Sequence, residues 1–212
     1  MTEICLSEQT TVNTESVGES GILLLTRSAW ICKQKFGTLV WSGDVPSTFE
    51  ALRMSVKTGL SMAMCGIPWW TTDIGGFWSE DNEIWSFGEE TYHILKKLIE
   101  LRERLRPYIH KYMDTASKTG VSIMRPMFVE YPEDKICYTL DNQYMFGEDI
   151  LFAPTVNQGQ TDRKVYLPAG EWIDVNTKKE YKGKEFINAN AELANFIAFV
   201  KKGSECLRIF DN

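Results

Sequence analysis

"TLVWSGDVPSTFEALRMSV", residues 38–56, sets a strand, a turn and a helix start in direct succession. Thr38 to Trp41 has the length and apolar character of a buried strand. Ser42-Gly43-Asp44 is a turn signal, and Ser47 with Glu50 three residues on has the spacing of a capping box, so a helix is expected to start there. Phe49, Leu52, Val56 and Leu60 follow at intervals of three and four. They put an apolar stripe on one helix face until Gly66 and Pro68 stop it.

The same reading extends to both neighbours. Upstream, Ile22 to Thr26 is a short apolar run with Arg27 at its C-terminal end; downstream, "GIPWWTTDIGGF" (66–77) passes from a short strand into a turn with Asp73 ahead of Gly75-Gly76. In a barrel or doubly wound α/β fold, parallel strands bring the residues past their C-terminal ends to one mouth. Arg27, Asp44 and Asp73 are therefore expected to converge.

From Phe87 the pattern is that of a long amphipathic helix, with Leu95, Leu98, Arg102, Leu105, Ile109 and Tyr112 on one face and Gly120 at its end. Pro107 is expected to kink or divide it. Beyond Gly120, "VSIMRPMFVEYP", "ICYTL", "QYMFGEDILFAPTV", "RKVYLP", "GEWIDV" and "NFIAFVKK" are short β-prone runs separated by Gly, Pro, Asp and Asn, the spacing of an all-β sandwich. The expected fold class is α/β plus β: a partial (β/α)8 TIM-type barrel over 21–130, followed by an all-β sandwich over 131–212. Residues 1–20 read as a loose, polar lead-in, and no internal repeat is evident.

Composition narrows the function. The chain has 212 residues, is 43% hydrophobic and carries 23 basic against 29 acidic side chains, net -6; it lacks the basic field that nucleic acid requires. The five cysteines are scattered without a CxxC pair, and with only two histidines neither a disulfide framework nor a zinc site is suggested. No early apolar run has the length of a signal peptide or membrane span, so a cytoplasmic protein without a membrane partner is expected. Five of the seven tryptophans, Trp30, Trp41, Trp69, Trp70 and Trp78, fall between residues 30 and 78, where such rings can fill a core or stack on a ligand.

By spacing alone Asp44 and Asp73 read as turn residues, Arg27 equally as an ion-pair partner, and Trp69 and Trp70 as alternating across a strand so that at most one faces the mouth. Tyr108 and Trp172 read as packing residues. Glu89, Glu90, Glu100 and Glu103 read as a solvated helix face.

The motifs add a family. "LLLTRSAWICKQKFGTLVWSGD" (23–44), "GLSMAMCGIPWWTTDIGGF" (59–77) and "VSIMRPMFVEYPED", "DNQYMFGEDILFAPTV" and "RKVYLPAGEWIDVNT" (within 121–177) resemble, in this order, the C-terminal half of the catalytic barrel of glycoside hydrolase family 31 and its following β-sandwich. The resemblance, which runs from about residue 20 to 203, implies a retaining α-glucosidase or α-xylosidase acting on an α-linked oligosaccharide or glycoside, with no cofactor or metal. Its two carboxyls stand about 5 to 5.5 Å apart across the scissile bond. It implies Asp44 as the acid/base and Arg27, Trp41, Asp73 and Phe77 as substrate-binding residues.

Three departures accompany the resemblance. The family's nucleophile has no counterpart ahead of Ile22, and the segment that should separate Phe77 from Glu83, with its Arg-x-His motif, is missing; neither His93 nor His110 has that context. Bulky Trp30, Ile31 and Cys32 also replace the usual small residues. An incomplete barrel leaves open edges that invite a companion segment or a homo-oligomer. A fragment inactive by itself is thus expected. The competing reading is a non-catalytic carbohydrate-binding module that uses its clustered tryptophans.

Overall fold

The computed structural model describes residues 24–31, 33, 37–77 and 83–211. The polar lead-in, Ile22, Cys32 and Trp78 lie outside them.

Three short strands, β1 (Leu24–Thr26), β2 (Thr38–Trp41) and β3 (Trp70–Thr71), form a parallel sheet in the order β1-β2-β3. Leu24 pairs with Thr38, and Val40 with Trp70. The helix α1 (Phe49–Met64) makes the crossover between β2 and β3. Parallel strands need such a crossover to reverse the chain twice. The expected parallel direction is thus present, and the three strand ends share one edge.

The start of α1 corrects the capping reading. Thr48, not Ser47, is the N-cap: its backbone is extended (φ -128, ψ 153) and its Oγ1 accepts from the Ala51 amide at 3.1 Å. The Thr48 amide is tied to the Pro46 carbonyl at 2.9 Å, which sets the helix entry one residue later than Ser47. Ser47 packs instead against Gly76, where a Cβ would lie 2.6 Å from Ser47 Oγ and where φ is +88. Replacing Thr48 by Ala should therefore cost about 1 kcal/mol of stability, whereas Ser47→Ala leaves the cap intact. Urea unfolding of the two variants checks the assignment.

Only part of the predicted α1 stripe is covered. Val56 and Leu60 are buried with Val156 against Met124 and Tyr144, while Phe49 and Leu52 remain exposed. Gly59 lets α1 approach closely, since a Cβ there would sit 3.2 Å from the Trp70 ring and 3.0 Å from Met124 Sδ. Trp70 thus faces the helix, and α1 joins the parallel sheet to the β region. Gly66, at φ +70, follows the helix end.

The second helix, α2 (Glu89–Thr119), runs unbroken through Pro107 to an αL cap at Gly120. Pro107 lies on the exposed side, where it lacks one N–H hydrogen bond, while Leu101, Leu105, Tyr108, Tyr112 and Ala116 form a continuous buried stripe around it. That stripe is rotated from the predicted one, and Arg102 is exposed. A guanidinium has no partner on an apolar sheet, so the aliphatic residue before it faces inward.

α2 covers one face of a six-stranded antiparallel sheet, order β4-β5-β6-β11-β8-β9: β4 (Met124–Pro126), β5 (Tyr144–Phe146), β6 (Ile150–Phe152), β11 (Ala198–Lys201), β8 (Glu171–Asp174) and β9 (Glu180–Lys182). Its other face packs on the antiparallel pair β7 (Asp162–Leu167) and β10 (Glu185–Asn190). Alternation sorts the residues. Ile150, Ala198 and Val200 go to the helix side, and Leu151 and Phe199 to the β7/β10 side with Trp172.

Two β-prone runs differ from expectation. "ICYTL" lies in a 3-10 turn, Lys135–Thr139, which Asp134 caps by accepting from the Ile136 amide at 3.1 Å. "VSIMRPMFVEYP" yields only β4 before the short helix α3 (Met127–Glu130), because Pro126 has no amide with which to continue the ladder. β4 pairs with β5, so the antiparallel sheet begins ahead of residue 131, where the sequence reading started the second domain.

Candidate functional site

The parallel edge brings the expected residues together. Arg27 follows β1 directly, Asp44 lies just past β2, and Asp73 just past β3. Arg27 Nη2 donates to Asp44 Oδ1 at 3.3 Å, and its guanidinium carbon stands 4.7 Å from the centre of the Trp41 ring. Trp41 Nε1 in turn donates to Asp73 Oδ1 at 2.9 Å. Four side chains from three strand ends are therefore linked in one chain of contacts.

The turns that carry them are tied to each other. The Ser42 amide donates to the Thr71 carbonyl at 3.0 Å, and Ser42 Oγ lies 3.0 Å from Thr72 Oγ1. The Phe77 amide donates to the Val45 carbonyl at 2.7 Å, and the Gly76 amide to the Asp73 carbonyl at 3.2 Å. Phe77 is thereby held beside the Asp44 turn with its side chain 55% exposed.

Exposure separates the charged groups. The Arg27 side chain is 67% exposed and that of Asp44 27%. An exposed pair of this kind contributes at most about 1 kcal/mol, so the guanidinium is easily redirected to another acceptor. Asp73 is held differently: one oxygen accepts from the indole, and the other is buried without a hydrogen-bond partner among the described residues. A cavity of about 430 Å³ is lined by Arg27, Trp41, Ser42 and the α1 residues Ala51, Met54 and Thr58, and one of about 280 Å³ by Thr72, Asp73, Gly75 and Gly76 with the start of α1.

Of the other singled-out residues, Trp70 shares the cavity with Arg27 and Trp41. Trp70 packs on Gly59, and Trp30 and Ile31, the bulky replacements after Arg27, are exposed. His93 pairs with Glu89 one turn earlier on α2. Tyr108 and Trp172 are buried in the core, as expected. Among the described residues no three or more His, Cys, Asp or Glu side chains are grouped to hold a metal ion. The Trp41–Asp73 bond and the Ser42–Thr72 contact were not foreseen from sequence. A β2–β3 register would have signalled them, since it sets Trp41 beside Thr71.

Comparison with known proteins identifies the frame. The model of the "Glycosyl hydrolases family 31 TIM-barrel domain" matches residues 4–83, and that of the "Glycosyl hydrolase family 31 C-terminal domain" matches residues 120–204. The chain belongs to glycoside hydrolase family 31. The family 31 barrel match begins within the polar lead-in, ahead of residue 21.

Family 31 relatives include an alpha-xylosidase of Saccharolobus solfataricus, 30% identical over 89% of this chain and 30% of its own length. Alpha-glucosidase 2 of Bacillus thermoamyloliquefaciens is 31% identical over 85% of this chain and 26% of its own. Among solved structures, a family 31 alpha-xylosidase from a soil metagenome, complexed with xylose, superposes with a TM-score of 0.88 at 36% identity, covering 94% of this chain and 37% of that one. A Flavobacterium johnsoniae dextranase of the same family, complexed with glucose, gives 0.86 at 34% identity, covering 92% and 29%. The chain spans about a third or less of the curated family 31 relatives it matches.

Proposed function

We propose that the chain carries the acid/base and sugar-holding side of a retaining α-glycosidase site for O-glycosyl bonds of α-linked glucosides or xylosides. The meeting of Arg27, Trp41 and Asp44 at one parallel edge, in the motif order of family 31, carries this reading. The three parallel strands are then an arc of a (β/α)8 barrel, and the antiparallel sheets are its all-β sandwich.

In this role Asp44 protonates the departing glycosidic oxygen and, as the carboxylate, then takes a proton from the attacking water. Without a sugar, Asp44 Oδ1 is engaged by Arg27 Nη2 at 3.3 Å. Sugar hydroxyls draw the exposed guanidinium away at little cost and leave Asp44 open to the glycosidic oxygen. Trp41 and Phe77 offer ring faces to the sugar, with Asp73 behind Trp41. Asp73 is not presented as a nucleophile, because one oxygen holds the indole and the other is buried.

The second carboxyl must therefore come from polypeptide beyond the described site residues, in the same chain or in a companion. The exposed Leu25 (60%) and Ile74 (82%), on and beside the parallel sheet, suit such a companion or a second copy of this chain.

Calorimetric titration with glucose, xylose and maltose tests the reading. Weak binding in the millimolar range is expected, reduced about tenfold or more in Arg27→Ala and Trp41→Ala. No heat from the wild-type chain at millimolar sugar would count against a sugar site. The chain alone should give negligible hydrolysis of p-nitrophenyl α-glucoside or α-xyloside. Turnover abolished by Asp44→Asn would instead mean that these 212 residues hold a complete carboxyl pair, and binding without turnover in any reconstituted form would favour a carbohydrate-binding module.

A further inference from the structure

Asp73 stands at the far end of the contact chain that reaches Asp44. Its Oδ1 accepts the Trp41 indole proton at 2.9 Å, the Trp41 ring carries the Arg27 guanidinium at 4.7 Å, and Arg27 reaches Asp44 at 3.3 Å. Oδ2 is buried and has no hydrogen-bond partner among the described residues. With one oxygen occupied and the other shielded, the carboxylate is badly placed to grip a sugar itself. It is well placed to fix the indole.

We propose that Asp73 is a positioning residue: by holding the Trp41 indole it fixes the ring plane on which Arg27 rests, and thereby the approach of Arg27 to Asp44. The torsion that turns an indole about its Cβ–Cγ bond has broad minima, so packing alone defines the ring plane loosely. A hydrogen bond from the indole to an ionised acceptor is stronger than one to a neutral group and sets that plane. The guanidinium responds because attraction to the ring depends on its lying over the face. Asp73 can do this because the turn after β3 is rigid: the Gly76 amide closes on the Asp73 carbonyl at 3.2 Å, and Gly76 has no room for a side chain beside Ser47.

The consequence for the reaction rests on the sugar-site reading given above, so the test has one arm that needs no sugar. In uniformly 15N-labelled protein, the Trp41 indole N–H is assigned by its loss in Trp41→Phe. Asp73→Ala should move that resonance upfield towards the free-indole position, and the Arg27 side-chain resonances, shifted by the indole ring current, should move with it. Asp73→Asn, whose carboxamide oxygen still accepts, should restore most of both shifts. The backbone amide spectrum reports folding; if Asp73→Ala fails to fold, Asp73→Ser, which is too short to reach the indole, takes its place.

In the sugar arm, Asp73→Ala and Trp41→Phe should each weaken glucose or xylose binding several-fold, and the double variant should be no weaker than the worse single one. An indole resonance unmoved in Asp73→Ala overturns the proposal, as do unmoved Arg27 resonances. Additive losses in the double variant would overturn it too, because Asp73 would then touch the sugar directly. If the wild-type chain binds no sugar, the sugar-site reading fails, and the Trp41 and Arg27 shifts still decide the role of Asp73.

Discussion

Trp172→Ala should lower the unfolding free energy by about 3–5 kcal/mol, the range for deleting a fully buried large aromatic side chain. Trp172 has no exposed surface and sits on β8 among Leu151, Val165, Leu167 and Phe199, between the six-stranded sheet and the β7/β10 pair. Its indole donates to the Pro168 carbonyl at 2.9 Å, so truncation leaves both a cavity and a buried carbonyl with one partner fewer. In thermal unfolding followed by circular dichroism, the midpoint should fall by on the order of 10 °C. Trp30→Ala is the control: that side chain is 68% exposed, and its loss should change stability by about 0.5 kcal/mol or less. Equal effects of the two substitutions would mean that the core does not lie where the sheets place it.

Glu130→Ala should be comparably damaging, by about 3–5 kcal/mol, for an electrostatic reason. Arg125 on β4 is ion-paired to Glu130 at the end of α3, with side chains only 7% and 17% exposed. The guanidinium also donates through Nε to the Ser122 carbonyl at 2.7 Å and lies 5.2 Å from the centre of the Tyr112 ring on α2. Removing the carboxylate strands a buried positive charge at the junction of α2, α3 and the antiparallel sheet. Replacing both partners with apolar residues of similar size, as in Arg125→Met with Glu130→Leu, should cost less than Glu130→Ala alone, because no charge is left without a counterion. Urea unfolding of the two variants separates the cases; a double replacement that costs more than the single one would show that the pair's hydrogen bonds, not its charge, dominate.

How much of this was legible beforehand depended on the range of the interaction. The strand β2 and the helix after it could be read because periods of two and of three to four residues are properties of consecutive side chains. The parallel direction of β1, β2 and β3 was anticipated from the polar residues that follow each apolar run. Arg27, Asp44 and Asp73 do converge. The family could be read from ordered motifs, and the two family models place it on both parts of the chain.

Other features depended on competition that a local pattern does not encode. Ser47 and Thr48 are both good caps, and the hydrogen bond from the Thr48 amide to the Pro46 carbonyl together with the closeness of Gly76 to Ser47 selected the second. Pro107 had the sequence signature of a helix break, yet the packing of Leu105 and Tyr108 on the sheet carried α2 through it. "ICYTL" had strand composition, and the Asp134 cap turned it into a 3-10 helix.

The site divides along the same line. Consecutive residues were enough to set Asp44 in a turn at the end of a strand and to assign its neighbours to one family motif, since a turn and a motif are short-range. They brought Arg27, Asp44 and Asp73 to one mouth but did not say which of these side chains would touch, or that Trp41 would hold Asp73. Those partners are Arg27, 17 residues before Asp44, and Asp73, 32 residues after Trp41. Only the parallel pairing of β1, β2 and β3 fixed these contacts, because sheet register decides which distant strand ends stand side by side.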